Sequence, residues 1–163
     1  MFAKVSHEIP SVLVMVGDGP DRVDAEQEAR RLGVSEHVYF LGKLESVAPL
    51  LASADLFLLP TSSESFGLSA LEALATGVPV IGTMAGGLPE VVRDGETGAL
   101  CAVGDVDGMA TAALRLLRDP ERWQAASTLA AADARARFSL DEVVGQYERF
   151  YTRSLEGRGA RPC

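Results

Sequence analysis

The sequence predicts an α/β domain whose core is a doubly wound parallel sheet, and two observations carry that prediction. Short apolar runs of strand length, Val12–Val16, Val38–Leu41, Leu56–Leu59, Val78–Gly82 and Ala99–Ala102, alternate with longer segments of helical pattern. The runs are nearly continuous in apolar character, which suits strands covered on both faces.

The elements follow in order. Met1–Ile9 reads as the last turns of a helix. After the first strand, Asp21–Leu32 is predicted helical and ends at Gly33. Ser46–Ala52 follows, with Pro49 tolerated because it falls in the first turn. Phe66–Thr76 is predicted to stop at Gly77, and Pro89–Arg93 opens on a proline at a favourable helix start. Asp105 is a suitable cap for Val106–Leu117, and Asp119-Pro120 restarts the chain as Glu121–Arg137. Ser139 with Glu142 forms a capping-box pattern for a last helix reaching about Ser154. Three consecutive helices thus finish a single domain over 1–156, and 157–163 is predicted to be a frayed, flexible tail. There is no internal repeat and no interdomain linker.

At 163 residues the chain is long enough for one ordinary core. Its formal net charge of −8 argues against a nucleic-acid surface, which needs clustered Lys and Arg. Cys101 and Cys163 have neither CxxC nor zinc spacing, and Cys101 reads as a core thiol. The N-terminus lacks the pattern of a signal peptide, and no apolar stretch approaches the ~18 residues of a membrane span. A cytoplasmic protein is the expectation.

The most informative segment is Ser63-Glu64-Ser65-Phe66-Gly67-Leu68-Ser69-Ala70-Leu71-Glu72, at a strand-to-helix junction. Glu64 is placed in the loop leaving a strand, and Glu72 about two turns into the next helix. Between them, Ser65, Phe66, Gly67 and Leu68 lie where a helix leaves its first N–H groups without partners. Free donors and the helix dipole both favour an anion there. Carboxylates beside such an end are suited to accept hydrogen bonds from vicinal sugar hydroxyls. A phosphate cradle flanked by two diol acceptors describes a nucleotide-sugar site.

The Glu-x7-Glu spacing, the Phe-Gly-Leu within it and Gly77-Val78-Pro79-Val80-Ile81 resemble the donor-binding, C-terminal lobe of family 4 retaining glycosyltransferases of the GT-B fold. Gly86-Gly87-Leu88-Pro89-Glu90-Val91, Asp94-Gly95-Glu96-Thr97-Gly98 and Gly17-Asp18-Gly19-Pro20 continue the pattern. The likeness runs from about Phe2 to about Leu155. Ser63–Leu68, Gly82-Thr83 and Leu100–Asp105 are most similar to the branch that makes N-acetylglucosaminyl L-malate for bacillithiol biosynthesis. The mycothiol branch, which glycosylates inositol phosphate, is similar around Glu64.

The resemblance implies a Rossmann-like lobe and transfer of a sugar from a UDP-sugar, with UDP-N-acetylglucosamine as donor and L-malate as acceptor. Glu64 would contact donor-sugar hydroxyls as the catalytic-site carboxylate, and Glu72 the ribose hydroxyls. The uracil edge would meet the backbone of Gly42-Lys43-Leu44, with Gly17 and Gly19 allowing close approach to the donor. No cofactor or metal is expected. The resemblance also implies a further strand between Val12–Val16 and Leu56–Leu59, with a turn carrying cationic diphosphate contacts, and an N-terminal lobe that binds the small acceptor. Neither is found in this chain, so the first, central strand is expected to be lacking. Unpaired strand edges would then make self-association an expectation, and the isolated chain should bind UDP weakly.

Simpler readings compete. Glu64 can be a helix-dipole partner, and Glu72 an ordinary exposed helix glutamate, although its neighbours Leu71, Ala73 and Leu74 suggest burial with a ligand diol as partner. Gly17-Asp18-Gly19-Pro20 fails as a dinucleotide fingerprint, because the third glycine would fall at Arg22. Gly42-Lys43-Leu44 can be a plain turn, and Gly86-Gly87 a flexible turn onto a helix. Asp105-Val106-Asp107 spells a metal-binding Asp-x-Asp but opens a helix, where aspartates serve as caps. His7 and His37 are isolated. At the level of function, a non-catalytic nucleotide-sugar-binding module stands beside the enzyme, as do other acceptors such as inositol phosphate, a glycan or a lipid. A flavodoxin-like receiver domain fails for want of clustered aspartates and a lysine.

Overall fold

A computed structural model describes residues 1–158. Five strands occur in it: β1 (Leu13–Val16), β2 (Val38–Gly42), β3 (Phe57–Leu59), β4 (Val80–Thr83) and β5 (Gly98–Cys101). The helices are α1 (Phe2–Ser6), α2 (Arg22–Arg31), α3 (Ala48–Leu51), α4 (Leu68–Ala75), α5 (Leu88–Val91), α6 (Val106–Leu117), α7 (Pro120–Phe138) and α8 (Leu140–Arg158). The order agrees with the sequence reading, and α6 with its bounds. Of the expected tail, Gly157 and Arg158 continue α8, and 159–163 lie outside the described residues.

All strand pairs are parallel, yet the sheet is in two pieces. β1 pairs with β2, and β3-β4-β5 form a separate three-stranded sheet. The break falls between β1 and β3, where the sequence reading set an additional strand. The two strands have not closed against each other.

The larger sheet sorts its side chains by strict alternation. Phe57, Leu59, Val80 and Leu100 face a core completed by Leu51 of α3, Ala70, Ala73 and Leu74 of α4, Leu88 and Val91 of α5, and Ala130 and Ala134 of α7. Leu58, Ile81, Ala99 and Cys101 face the other side, against Val5 of α1, Met109, Ala110, Ala113 and Leu116 of α6, and Ala126 of α7. β4 is buried along its whole length, as expected of a strand covered on both faces, with Thr83 the one polar residue in it.

The smaller sheet departs from that expectation. Val14, Met15 and Val16 are 36–39% exposed, and Tyr39 and Leu41 about half. Their apolar character matches β4, but burial comes from neighbours, and one edge of β1 faces none. Cys101 is half-buried rather than fully internal; burial first, then Asp105 and Asp94, pushes its thiol up from the ordinary range.

Helix ends show where local signals prevail. Asp105 Oδ1 accepts from Gly108 N–H at 2.8 Å, a cap as expected, and Asp119 Oδ1 accepts from Arg122 N–H at 3.0 Å, a second cap. The capping box at Ser139 and Glu142 does not operate in that way. The Glu142 carboxylate reaches forward along α8 to Gln146 at 3.0 Å and Arg149 at 3.2 Å.

Open edges on β1 and β3 present unpaired N–H and C=O groups beside apolar side chains. The purified 163-residue chain is therefore expected to self-associate as its concentration rises. Multi-angle light scattering over a concentration series checks this, and a monodisperse monomer throughout would show that the edges are otherwise protected.

Candidate functional site

The Glu64–Leu68 loop leaves the carboxyl end of β3 and enters α4, the edge of a parallel sheet where ligands bind at a change of strand order. Gly67 is the helix N-cap, with φ of 97°, a left-handed conformation that glycine alone adopts readily. Its carbonyl starts the helix by accepting from Leu71 N–H at 2.9 Å. The N–H groups of Gly67, Leu68 and Ser69 then precede any intrahelical acceptor. Leu68 and Ser69 are exposed, so that end of α4 is open to a ligand.

Glu64 is half-buried, and its Oε1 accepts from Phe66 N–H at 3.4 Å. The carboxylate thus already serves as a partner of the helix end, and the Phe66 donor counted for a phosphate is turned toward it. Ser65 beside it is exposed. The Phe66 ring packs edge-on against Phe138 at 5.8 Å between centroids, anchoring the loop to the end of α7. Glu72 is exposed on α4. The burial expected from its apolar neighbours is not found, because the helical period turns Ala70, Ala73 and Leu74 inward and leaves Glu72 outside.

Two groups that sequence reasoning undervalued support this loop. The hydroxyl of Thr83, at the end of β4, donates to the Thr61 carbonyl at 2.5 Å. Gly87 N–H donates to the Glu64 carbonyl at 3.0 Å. The Gly86-Gly87 segment is therefore docked rather than a flexible turn. Its paired glycines were a signal of close approach, but nothing local says to what.

The other expected site residues gather on the smaller sheet. Gly17 N–H donates to the Gly42 carbonyl at 2.8 Å, stitching the loops that leave β1 and β2. Gly19 N–H donates to Asp18 Oδ1 at 3.1 Å. Lys43 and Leu44 are exposed just beyond β2. Beneath them the Arg22 guanidinium lies 5.7 Å from the Phe40 ring centroid and pairs with Glu26 at 3.0 Å. Among the described residues no hydrogen bond joins this group to the Glu64 loop.

A cleft of about 540 Å³ opens beside Met84 and Pro89, with Arg93, Asp94, Leu100 and Arg137 on its walls. Its cations are committed. Asp133, almost wholly buried, pairs with Arg93 and Arg137 at 2.8 Å each, and Arg137 also donates to the carbonyls of Glu90 and Val91. This network fastens α7 to the end of α5 and leaves little capacity for an anion.

The sequence profile of the glycosyl transferases group 1 family matches residues 1–119. This chain belongs to that family. It is 45% identical over 150 residues to an N-acetyl-alpha-D-glucosaminyl L-malate synthase of Bacillus anthracis, covering 92% of this chain and 39% of the relative. It is 39% identical over 160 residues to a D-inositol 3-phosphate glycosyltransferase of Mycobacterium avium (strain 104), covering 93% and 38%. The crystal structure of Anabaena Alr3699/HepE in complex with UDP is similar with a TM-score of 0.84 and 26% identity, over 92% of this chain and 43% of that one. The chain thus spans about two fifths of the length of these relatives.

Within this glycosyl transferases group 1 lobe, the Asp-x-Asp pair is engaged as structure. Asp105 caps α6, and Asp107 binds Lys4 at 2.7 Å, which holds its carboxyl below the usual range. Among the described residues no group of three His, Cys, Asp or Glu is placed to hold a metal. No described helix is long and apolar enough to cross a membrane. Asp105→Ala is expected to destabilise the fold by ~1 kcal/mol through loss of a cap. Urea denaturation measures the cost, and a loss of nucleotide affinity without loss of stability would return Asp105 to the site.

Proposed function

We propose that this chain is the donor-binding lobe of a family 4 retaining glycosyltransferase that takes its sugar from a uridine diphosphate carrier. The observation that carries the reading is the open N-terminus of α4 set between Glu64 and Glu72. Departure of the diphosphate concentrates negative charge on the phosphates. Preorganised donors aimed there stabilise the transition state more than the ground state. The N–H groups of Gly67, Leu68 and Ser69 have that role, helped by the dipole of α4. Glu64 accepts from hydroxyls of the sugar and Glu72 from those of the ribose, while Gly17, Gly19, Gly42, Lys43 and Leu44 receive the uridine.

None of these groups is assigned as a nucleophile. Both glutamates act as acceptors, which suits departure and attack on one face of the sugar. We assign UDP-N-acetylglucosamine as donor and L-malate as acceptor, supported by the named activity of the Bacillus anthracis relative. We further propose that acceptor contacts come from another lobe, that the enzyme acts in the cytoplasm and that no metal or cofactor takes part. The neutral donors and the net charge of −8 predict weak binding of a diphosphate by this lobe alone.

Saturation-transfer NMR on the 163-residue chain reads such weak binding. With UDP-N-acetylglucosamine in millimolar excess, uracil, ribose and sugar protons should all be saturated. Glu72→Ala is expected to dim the ribose signals, and Glu64→Ala the sugar signals with the uridine retained. In the intact enzyme, Glu64→Ala removes a charged acceptor worth ~1.5–3 kcal/mol, a loss of about ten- to a hundredfold in turnover. Unchanged turnover in both variants would refute the assignment. Transfer should persist in a chelator, and its abolition with rescue by manganese would overturn metal independence.

A further inference from the structure

Among the described glycines with positive φ, several are turns in open space: a Cβ added at Gly17, Gly33, Gly95 or Gly104 meets nothing within 4 Å. Gly86, also of positive φ, and its neighbour Gly87, at φ of −81°, differ. Gly86 has φ of 53°, and a Cβ there would overlap the Glu64 carbonyl. A Cβ on Gly87 would lie 2.6 Å from the Ser65 carbonyl oxygen and 2.9 Å from Phe66 Cα. All of these contacts are backbone atoms, which cannot swing aside as a flexible side chain would. Gly87 N–H then closes the contact by donating to the Glu64 carbonyl at 3.0 Å. The loop leaving β4 thus lies directly on the main chain of the residue whose carboxylate borders the open end of α4.

We infer that Gly86 and Gly87 are positioning residues for Glu64. Their missing side chains let one loop clamp the other, and the clamp fixes the direction in which the Glu64 carboxylate points. The inference deepens the donor-site reading and, for its effect on sugar binding, rests on it. The carboxylate is joined to the clamped backbone by only two methylene groups. A shift of about 1 Å in the Glu64 backbone is therefore passed to its oxygens, beyond the ~0.5 Å that a working hydrogen-bond constellation tolerates. Gly67 is held by the same neighbourhood: a Cβ there would lie 3.0 Å from Leu88 Cδ1 and 3.8 Å from Glu64 Cγ.

The test compares Gly86→Ala, Gly87→Ala and the control Gly95→Ala in the isotopically labelled chain. Gly95 shares the positive φ of Gly86 but has open space, so its substitution tests backbone strain alone, and Gly87, at φ of −81°, carries no such strain. Two quantities are read: the carboxyl carbon and Phe66 amide resonances that report on Glu64, and the ratio of sugar to uridine saturation with UDP-N-acetylglucosamine. Gly86→Ala and Gly87→Ala are expected to displace the Glu64 and Phe66 resonances and lower the ratio roughly tenfold, as loss of a hydrogen bond to a charged acceptor does. Gly95→Ala should leave both unchanged. A folded Gly87→Ala chain with an unmoved Glu64 carboxyl resonance and an unchanged ratio would overturn the inference.

If both clamp variants fail to fold, the unsubstituted chain decides through the scalar coupling across the Gly87 N–H to Glu64 carbonyl hydrogen bond. Its presence supports the clamp, and its absence overturns it. If no nucleotide proton is saturated in the unsubstituted chain, the donor-site reading fails, and the resonances still report on the clamp.

Discussion

Leu88 is the side chain on which the geometry of the site depends. It is fully buried at the start of α5, and its two methyl groups occupy space that two glycines leave free. One lies 3.0 Å from where Gly67 would carry a Cβ, and the other 2.6 Å from that position on Gly82. A strand, a helix start and a short helix are thereby packed through one branched residue. Any side chain at Gly82 would push Leu88 out, and with it the support beneath the first turn of α4. Packing of this kind has little slack, since interiors are as dense as organic crystals.

The outer side of the site is held by polar means. Asp133 of α7 joins two guanidiniums, and Arg137 stacks on Phe138 at 4.6 Å while Phe138 meets Phe66. Burying a carboxylate costs desolvation, and two partners are needed to offset it. The arrangement fastens the end of α7 to α5 and the residues beside it. That end sets the ring of Phe66, hence the loop that carries Glu64. Trp123 adds a further tie at the other end of α7, donating to the Asp55 carbonyl at 2.7 Å just before β3.

Much of this was legible in the chain, and the exceptions share a cause. α6 begins and ends where Asp105 and the apolar pattern place it, because both signals are local. β4 was read from Val78 but begins at Val80; the Pro79 carbonyl still accepts from Phe57, while Pro79 has no N–H with which to join a ladder. Glu142 found partners one and two turns ahead on its own helix, which outcompeted the capping box. Glu72 was judged by its immediate neighbours, though the helical period decides what is inside. The docking of Gly86 on Glu64 joins positions twenty-two residues apart, a tertiary contact that no local pattern announces. The candidate donor motif could be proposed from the chain because its N–H groups and carboxylates are near one another in sequence. Its supports were not, because they come from β4, α5 and α7.

The division of the sheet has a thermodynamic consequence. Amide hydrogens of β4, flanked by β3 and β5 and covered on both faces, exchange with solvent only through opening of the whole core. Those of β1 and β2 need only a local opening, since two strands with half-exposed side chains form a small cooperative unit. The chain therefore carries a step in free energy of opening, with the Glu64 loop on the steep side and the Gly17–Gly42 stitch on the shallow one. A ligand spanning both would spend part of its binding energy in bringing the shallow side up to the level of the other.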